Sequence, residues 1–197
     1  MFGVEGFDPW TGVDGRYESS LPRVLVLGEV QVDAPLSDRD CILRKLRAGH
    51  DLVFTNFDQA VLGKRRWQEG YREAVRSFWE RTLFYNYNVT RTARHGAAPP
   101  DAIHARLLRE VLSTYKPTHV IVWGDDNWRA MAVEGAAWNP EAEIRCGSAG
   151  EPCRSVIIDG HRILFTRVSH PSAGFDHERW SALLSRFLSL APAISSA

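Results

Sequence analysis

Arg23-Val24-Leu25-Val26-Leu27-Gly28 is a short, nearly continuous apolar run that ends in glycine. A strand covered on both faces reads this way, because neither side of its pleat meets water. His119-Val120-Ile121-Val122-Trp123-Gly124 repeats the pattern about a hundred residues later. Between and after them lie segments with helical spacing. Ser37-Asp38-Arg39-Asp40 predicts a helix start, followed by Ile42, Leu43 and Leu46 up to Gly49. Residues 66–82 predict a second helix with Trp67, Tyr71, Val75, Phe78, Trp79 and Leu83 along its apolar stripe. Pro99-Pro100-Asp101 launches a third, with Ile103, Leu107, Leu108, Val111 and Leu112 inward, which Lys116-Pro117 stops. Asp125-Asp126 is expected to cap a helix through Trp128, Met131 and Val133, and residues 176–190 form the last.

Three further segments complete the pattern. Phe84-Tyr85-Asn86-Tyr87-Asn88-Val89 is aromatic and strand-like. Residues 155–158 and 162–165 flank Asp159-Gly160, a hairpin signal. Residues 51–57 read as a loop or short strand, 136–153 as a long loop, and 1–20 as an irregular arm. Strands alternating with helices predict an α/β fold: a three-layer α/β/α sandwich around a central, mainly parallel four-stranded sheet. One domain spanning residues 1–197 is expected, since single cores split only past roughly 250 residues.

Composition narrows the function. Apolar residues make up 44% and charged residues 24%, an ordinary globular balance that excludes disorder as the main state. No run approaches the roughly 18 apolar residues of a membrane span. The segment MFGVEGFDPW lacks the pattern of a signal peptide, and three cysteines are too few for a disulfide framework. A cytoplasmic monomer is the expectation.

The 24 basic and 24 acidic side chains cancel, which argues against a globally basic nucleic-acid coat. The charge is nevertheless uneven: residues 64–94 carry eight basic and three acidic groups. Lys64-Arg65-Arg66 opens that stretch, and Arg72, Arg76, Arg81, Arg91 and Arg94 follow. It reads either as a solvated helix face or as an edge that meets phosphates.

Several chemistries lack their residues. There is no HxxxH or CxxC, and Cys146 and Cys153 are too widely spaced for half of a zinc knuckle. No GxGxxG, Walker lysine or GxSxG occurs. Ligands of parallel sheets sit outside the carboxyl ends of the strands. The informative residues are therefore Gly28-Glu29, Asn86, Gly124-Asp125 and His170-Pro171-Ser172. Asn86 offers the donor and acceptor needed to read an imide edge, or else caps a turn. His170 at a strand end has the chemistry to donate to an oxyanion on a leaving group. Phe54 either stacks on a ring or packs in the core.

In this order the segments resemble the uracil-DNA glycosylase superfamily over about residues 23–190. Gly28-Glu29 looks like its first motif, and Val53-Phe54-Thr55 like the segment with its base-stacking phenylalanine. Phe84-Tyr85-Asn86 looks like the strand whose asparagine reads uracil, and Val120 to Gly124 like its third strand. His170-Pro171-Ser172, with Phe175 and Trp180 after it, is similar to its last motif. Phe78-Trp79 through Tyr87 resembles a bacterial branch in particular, whose first motif departs here, reading Gly28-Glu29-Val30.

The resemblance implies flipping of uracil or another deaminated base from DNA and hydrolysis of its N-glycosidic bond, without metal or organic cofactor. His170 and Glu29 would be catalytic, and Phe54, Asn86, Gly28 and Val30 would line the base site. Ser172, Gly174, Lys64, Arg65 and Arg66 would meet DNA. Val30 stands where relatives often carry Asp or Asn, so Glu29 is the remaining carboxylate there. A DNA- or damaged-base-binding protein without catalysis and a hydrolase of free nucleosides are the rival readings.

Overall fold

The computed structural model describes residues 9–13, 15–28, 37–48, 51–87, 102–146, 149–172 and 174–191. Eight strands are described: β1 (Val24–Gly28), β2 (Thr82–Asn86), β3 (His119–Trp123), β4 (Asn139–Pro140), β5 (Ile144–Cys146), β6 (Ala149–Glu151), β7 (Cys153–Ile158) and β8 (His161–Val168). Six helices accompany them: α1 (Asp38–Ala48), α2 (Leu52–Leu62), α3 (Tyr71–Trp79), α4 (Ala102–Tyr115), α5 (Asp125–Ala130) and α6 (His177–Leu188).

The main sheet has the order β2-β1-β3-β8-β7-β4. The first four strands are parallel, and β7 and β4 run antiparallel to their neighbours. The sheet is therefore six-stranded rather than four-stranded. The Asp159-Gly160 hairpin adds β7 to the parallel set, and two residues of the expected 136–153 loop add β4. That stretch also pairs β5 with β6 in a small second sheet.

The apolar runs alternate across the sheet as both-face burial requires. Val24, Val26, Phe84, Ile121, Trp123, Leu164 and Val168 join α1, α2, α3 and α6 in one core. Leu25, Leu27, Leu83, Tyr85, Val120, Val122, Ile163 and Phe165 join α4 in the other. The N-terminal arm is irregular but pinned: Trp10 exchanges backbone hydrogen bonds with Phe84, and its indole donates to the Trp79 carbonyl (2.8 Å).

Several local expectations need correction. Residues 51–57 belong to a helix, not a loop or strand. Asp51 caps it by accepting from the Val53 N–H, and Gly63 ends it in the left-handed conformation at φ 60°. The 66–82 helix is shorter, covering Tyr71–Trp79, so Trp67 lies outside it at 75% exposure and Leu83 belongs to β2. Ile103 is 37% exposed rather than inward. Gly124, not an aspartate, occupies the cap of α5, and Asp125 and Asp126 fill its first turn. The Pro99-Pro100-Asp101 start lies outside the described residues.

His119, at the start of β3, is buried and lies edge-on to Phe187. Its Nε2 is 3.0 Å from the Leu190 carbonyl and its Nδ1 2.9 Å from the Thr118 hydroxyl. This pattern assigns the proton to Nε2 and leaves Nδ1 as acceptor. Burial holds the imidazole below its ordinary pKa, with the carbonyls opposing. As pH falls below about 6.5, the unfolded chain takes up this proton before the folded one does. The urea midpoint is expected to fall over that range, less steeply in His119→Gln. Equal slopes in the two proteins would remove this assignment.

Candidate functional site

The carboxyl edge of the parallel strands gathers Gly28, Asn86, Gly124 and His170. β1 ends at Gly28, which is in register with Asn86 at the end of β2. Trp123 ends β3, and β8 ends at Val168, two residues before His170. β1 lies between β2 and β3, so successive connections leave it in opposite directions. In parallel α/β sheets such a reversal marks where ligand crevices lie, here at the β1 and β3 ends.

Asn127 stitches the crevice from below. Its buried Nδ2 donates to the Gly28 and Trp123 carbonyls, both at 3.1 Å. A side chain on Gly28 has no room: a Cβ there would lie 2.5 Å from Asn86 Oδ1 and 2.7 Å from the Phe84 ring. Gly28→Ala is therefore expected to lower stability by about 1–3 kcal/mol through forced repacking. Urea denaturation checks it, and an unchanged midpoint would contradict the close approach.

Asn86 is clamped by Asp38, the first residue of α1. Its Nδ2 donates to Asp38 Oδ1 (2.5 Å), and its backbone N–H donates to Oδ2 (3.0 Å). The carboxylate thus fixes both the amide plane and which end carries the oxygen. Oδ1 faces Gly28, and the amide retains a second hydrogen.

His170 is half-buried and meets Trp123 edge-to-face, with ring centroids 6.3 Å apart. Its Nδ1 lies 2.8 Å from Ser172 Oγ and accepts from the Ser172 N–H at 3.3 Å. An Nδ1 that accepts from a backbone amide places the neutral ring's proton on Nε2. The turn is held from α2, where Asn56 Nδ2 donates to the Pro171 carbonyl (2.7 Å).

Phe54 is buried on α2 among Trp79, Phe84 and Trp123, with centroid separations of 5.4–5.6 Å. It is part of an aromatic wall, and Trp123 links it to His170. The Trp123 Nε1 is buried without a hydrogen-bond partner among the described residues. Behind the wall, Lys45 and Asp58 pair at 2.7 Å, and the Trp79 indole donates to the same carboxylate at 2.7 Å. Burial pushes Lys45 down to about 8, with Asp58 opposing. Burial pushes Asp58 up, with Lys45 and Trp79 opposing.

Three strand spacings, about 14 Å of backbone, separate β2 from β8, so the Asn86 and His170 side chains flank the crevice. Ser172 and Gly174 are exposed beside His170. Lys64, Arg65 and Arg66 lie in the turn after α2: Lys64 Nζ donates to the Glu69 carbonyl, and Arg65 pairs with Glu178 at 3.3 Å. Glu29, Val30, Arg91 and Arg94 lie outside the described residues.

Sequence reasoning missed Asp38 as the clamp of Asn86, and missed Asn127 entirely. Among the described residues, no group of three or more His, Cys, Asp and Glu side chains is placed to hold a metal ion. Nor is any described helix long and apolar enough to cross a membrane. Comparison with family models, curated proteins and solved structures finds no match for this chain.

Proposed function

We propose that the protein is a DNA base glycosylase of the uracil-DNA glycosylase type, acting as a monomer without a cofactor. One observation carries this reading: an amide fixed in orientation and an imidazole fixed in tautomer flank a single sheet-edge crevice, over an aromatic wall. That set suits a neutral planar ring with an imide edge. It offers little to a phosphate or a metal.

In this reading a uracil, or another deaminated base, leaves the stack and enters the crevice. Asn86 pairs with its imide edge, and Phe54 with Trp123 supplies the apolar surface beside it. The C1′–N1 bond breaks with its electron pair staying on the base. Negative charge grows on the O2 oxygen, and His170 Nε2–H donates to it. Water adds to C1′, and its released proton neutralises the departing base. Glu29, next to Gly28 in the chain, orients that water or offsets the sugar cation. Ser172, Gly174 and Lys64 to Arg66 contact the phosphates.

A panel of oligonucleotides, each with one deaminated base, tests the reading. Alkali-labile abasic sites at one or two of those bases are expected. Absence of abasic sites across the panel, in single and double strands, would remove it.

A further inference from the structure

Trp67 is the largest side chain among the exposed apolar residues described, and its setting is not that of a loose loop. It follows Lys64-Arg65-Arg66 directly. The Gln68 N–H donates to the Arg65 carbonyl (2.9 Å), which closes a turn with Arg66 and Trp67 at its apex. The Arg65 N–H donates back to Gln68 Oε1 (2.6 Å), locking the same turn a second time. The Arg66 N–H donates to Gln59 Oε1 on α2 (3.3 Å), which fixes the turn to the body of the protein. The backbone around Trp67 is thus doubly locked while its indole stands 75% exposed, a fixed ring open to a flat partner.

The surroundings indicate that partner's chemistry. Three consecutive cations precede the ring and exposed Arg72 follows nearby, with Glu69 between them and Glu178 paired to Arg65 across from α6, so the cations outnumber the carboxylates. Aromatic faces interleaved with cations suit bases and phosphates of an unpaired strand, where every base exposes a π-face. The position also fits. Asn56, which holds Pro171, and Gln59, which holds Arg66, are one helical turn apart on α2, about 5 Å along its axis. A strand advancing at ~3.4 Å or more per nucleotide from His170 reaches Trp67 within a few steps.

We infer that Trp67 is a stacking platform for an unpaired base flanking the one at His170, so that the protein engages single-stranded DNA through the 64–67 turn. The choice of DNA as partner rests on the function proposed above, but the contact itself involves no chemistry at His170.

Fluorescence anisotropy with labelled oligothymidine of about 15 nucleotides, within the range of single-strand site sizes, tests it. Trp67→Ala is expected to weaken binding by about tenfold or more, the range of one lost base stack. Trp67→Phe should retain most of the affinity, and binding to a duplex of equal length should change by less than about twofold. Thermal melting confirms that both variants fold. Unchanged single-strand affinity in Trp67→Ala, or equal loss on single strand and duplex, would overturn the inference. So would self-association of the wild type that Trp67→Ala abolishes while oligothymidine binding persists. Base release is scored separately on the panel of single-lesion strands. Trp67-dependent binding without release from any of them would leave this inference standing and remove the glycosylase reading.

Discussion

His170→Ala is expected to slow base release by 10²–10³-fold, with substrate affinity nearly unchanged. The imidazole's donor would act on charge that exists only as the bond breaks, so its loss falls on kcat rather than on KM. Loss of one such preorganised donor is worth about 3–4 kcal/mol in other enzymes. The fold should survive the change. The ring is half-buried and bonds locally to Ser172, while Asn56 holds the turn through the Pro171 backbone carbonyl. Single-turnover release, set beside a thermal melt, separates chemistry from folding. A variant that folds and releases base within about threefold of wild type would place the oxyanion donor elsewhere.

The second large effect is on stability. Lys45→Met is expected to destabilise the protein by about 3–5 kcal/mol, the range for breaking a buried ion pair from one side. Asp58 is almost wholly enclosed, and among the described residues the change would leave its carboxylate with the Trp79 indole as its hydrogen-bond partner. The ammonium also lies 4.3 Å from the Trp79 ring centroid and 5.2 Å from that of Phe54. Lys45→Met with Asp58→Leu should recover much of the loss, because it removes both ions together. Recovery should stop short by about 1–3 kcal/mol, since the Trp79 N–H is then buried without its acceptor. Urea denaturation of the two single variants and the double variant checks this. A Lys45→Met cost below about 1 kcal/mol would mean that Asp58 takes up a proton or is reached by water once the ammonium is gone.

The parallel strands were legible because burial on both faces leaves no polar alternation to confuse them. Val24 to Leu27 and Val120 to Trp123 are apolar throughout and buried throughout. Helix α2 was hidden for the opposite reason. Val53, Phe54, Thr55 and Phe57 are β-branched or aromatic and favour a strand locally. Packing of Phe54 and Phe57 on one side, together with the Asp51 and Gly63 caps, overrides that preference. Trp67 was misplaced by extending the helical period of α3 past its start at Tyr71.

At the site, strand-end position made Gly28, Asn86 and His170 visible, because the carboxyl edge follows from the order of strands and helices. The Asp38–Asn86 clamp was not visible. Its partners are 48 residues apart, and Asp38 reads locally as nothing more than a helix start. The same holds for Asn127, whose bond to the Gly28 carbonyl spans 99 residues.

The central claim meets its most direct test in single-turnover reactions of excess wild-type protein with oligonucleotides that each carry one deaminated base, uracil first among them, with both products measured by mass. The account predicts one free base and one abasic site per strand for at least one of those bases. Tight binding with every strand intact, or release of a base from its free deoxynucleoside but not from the oligonucleotide, would contradict it.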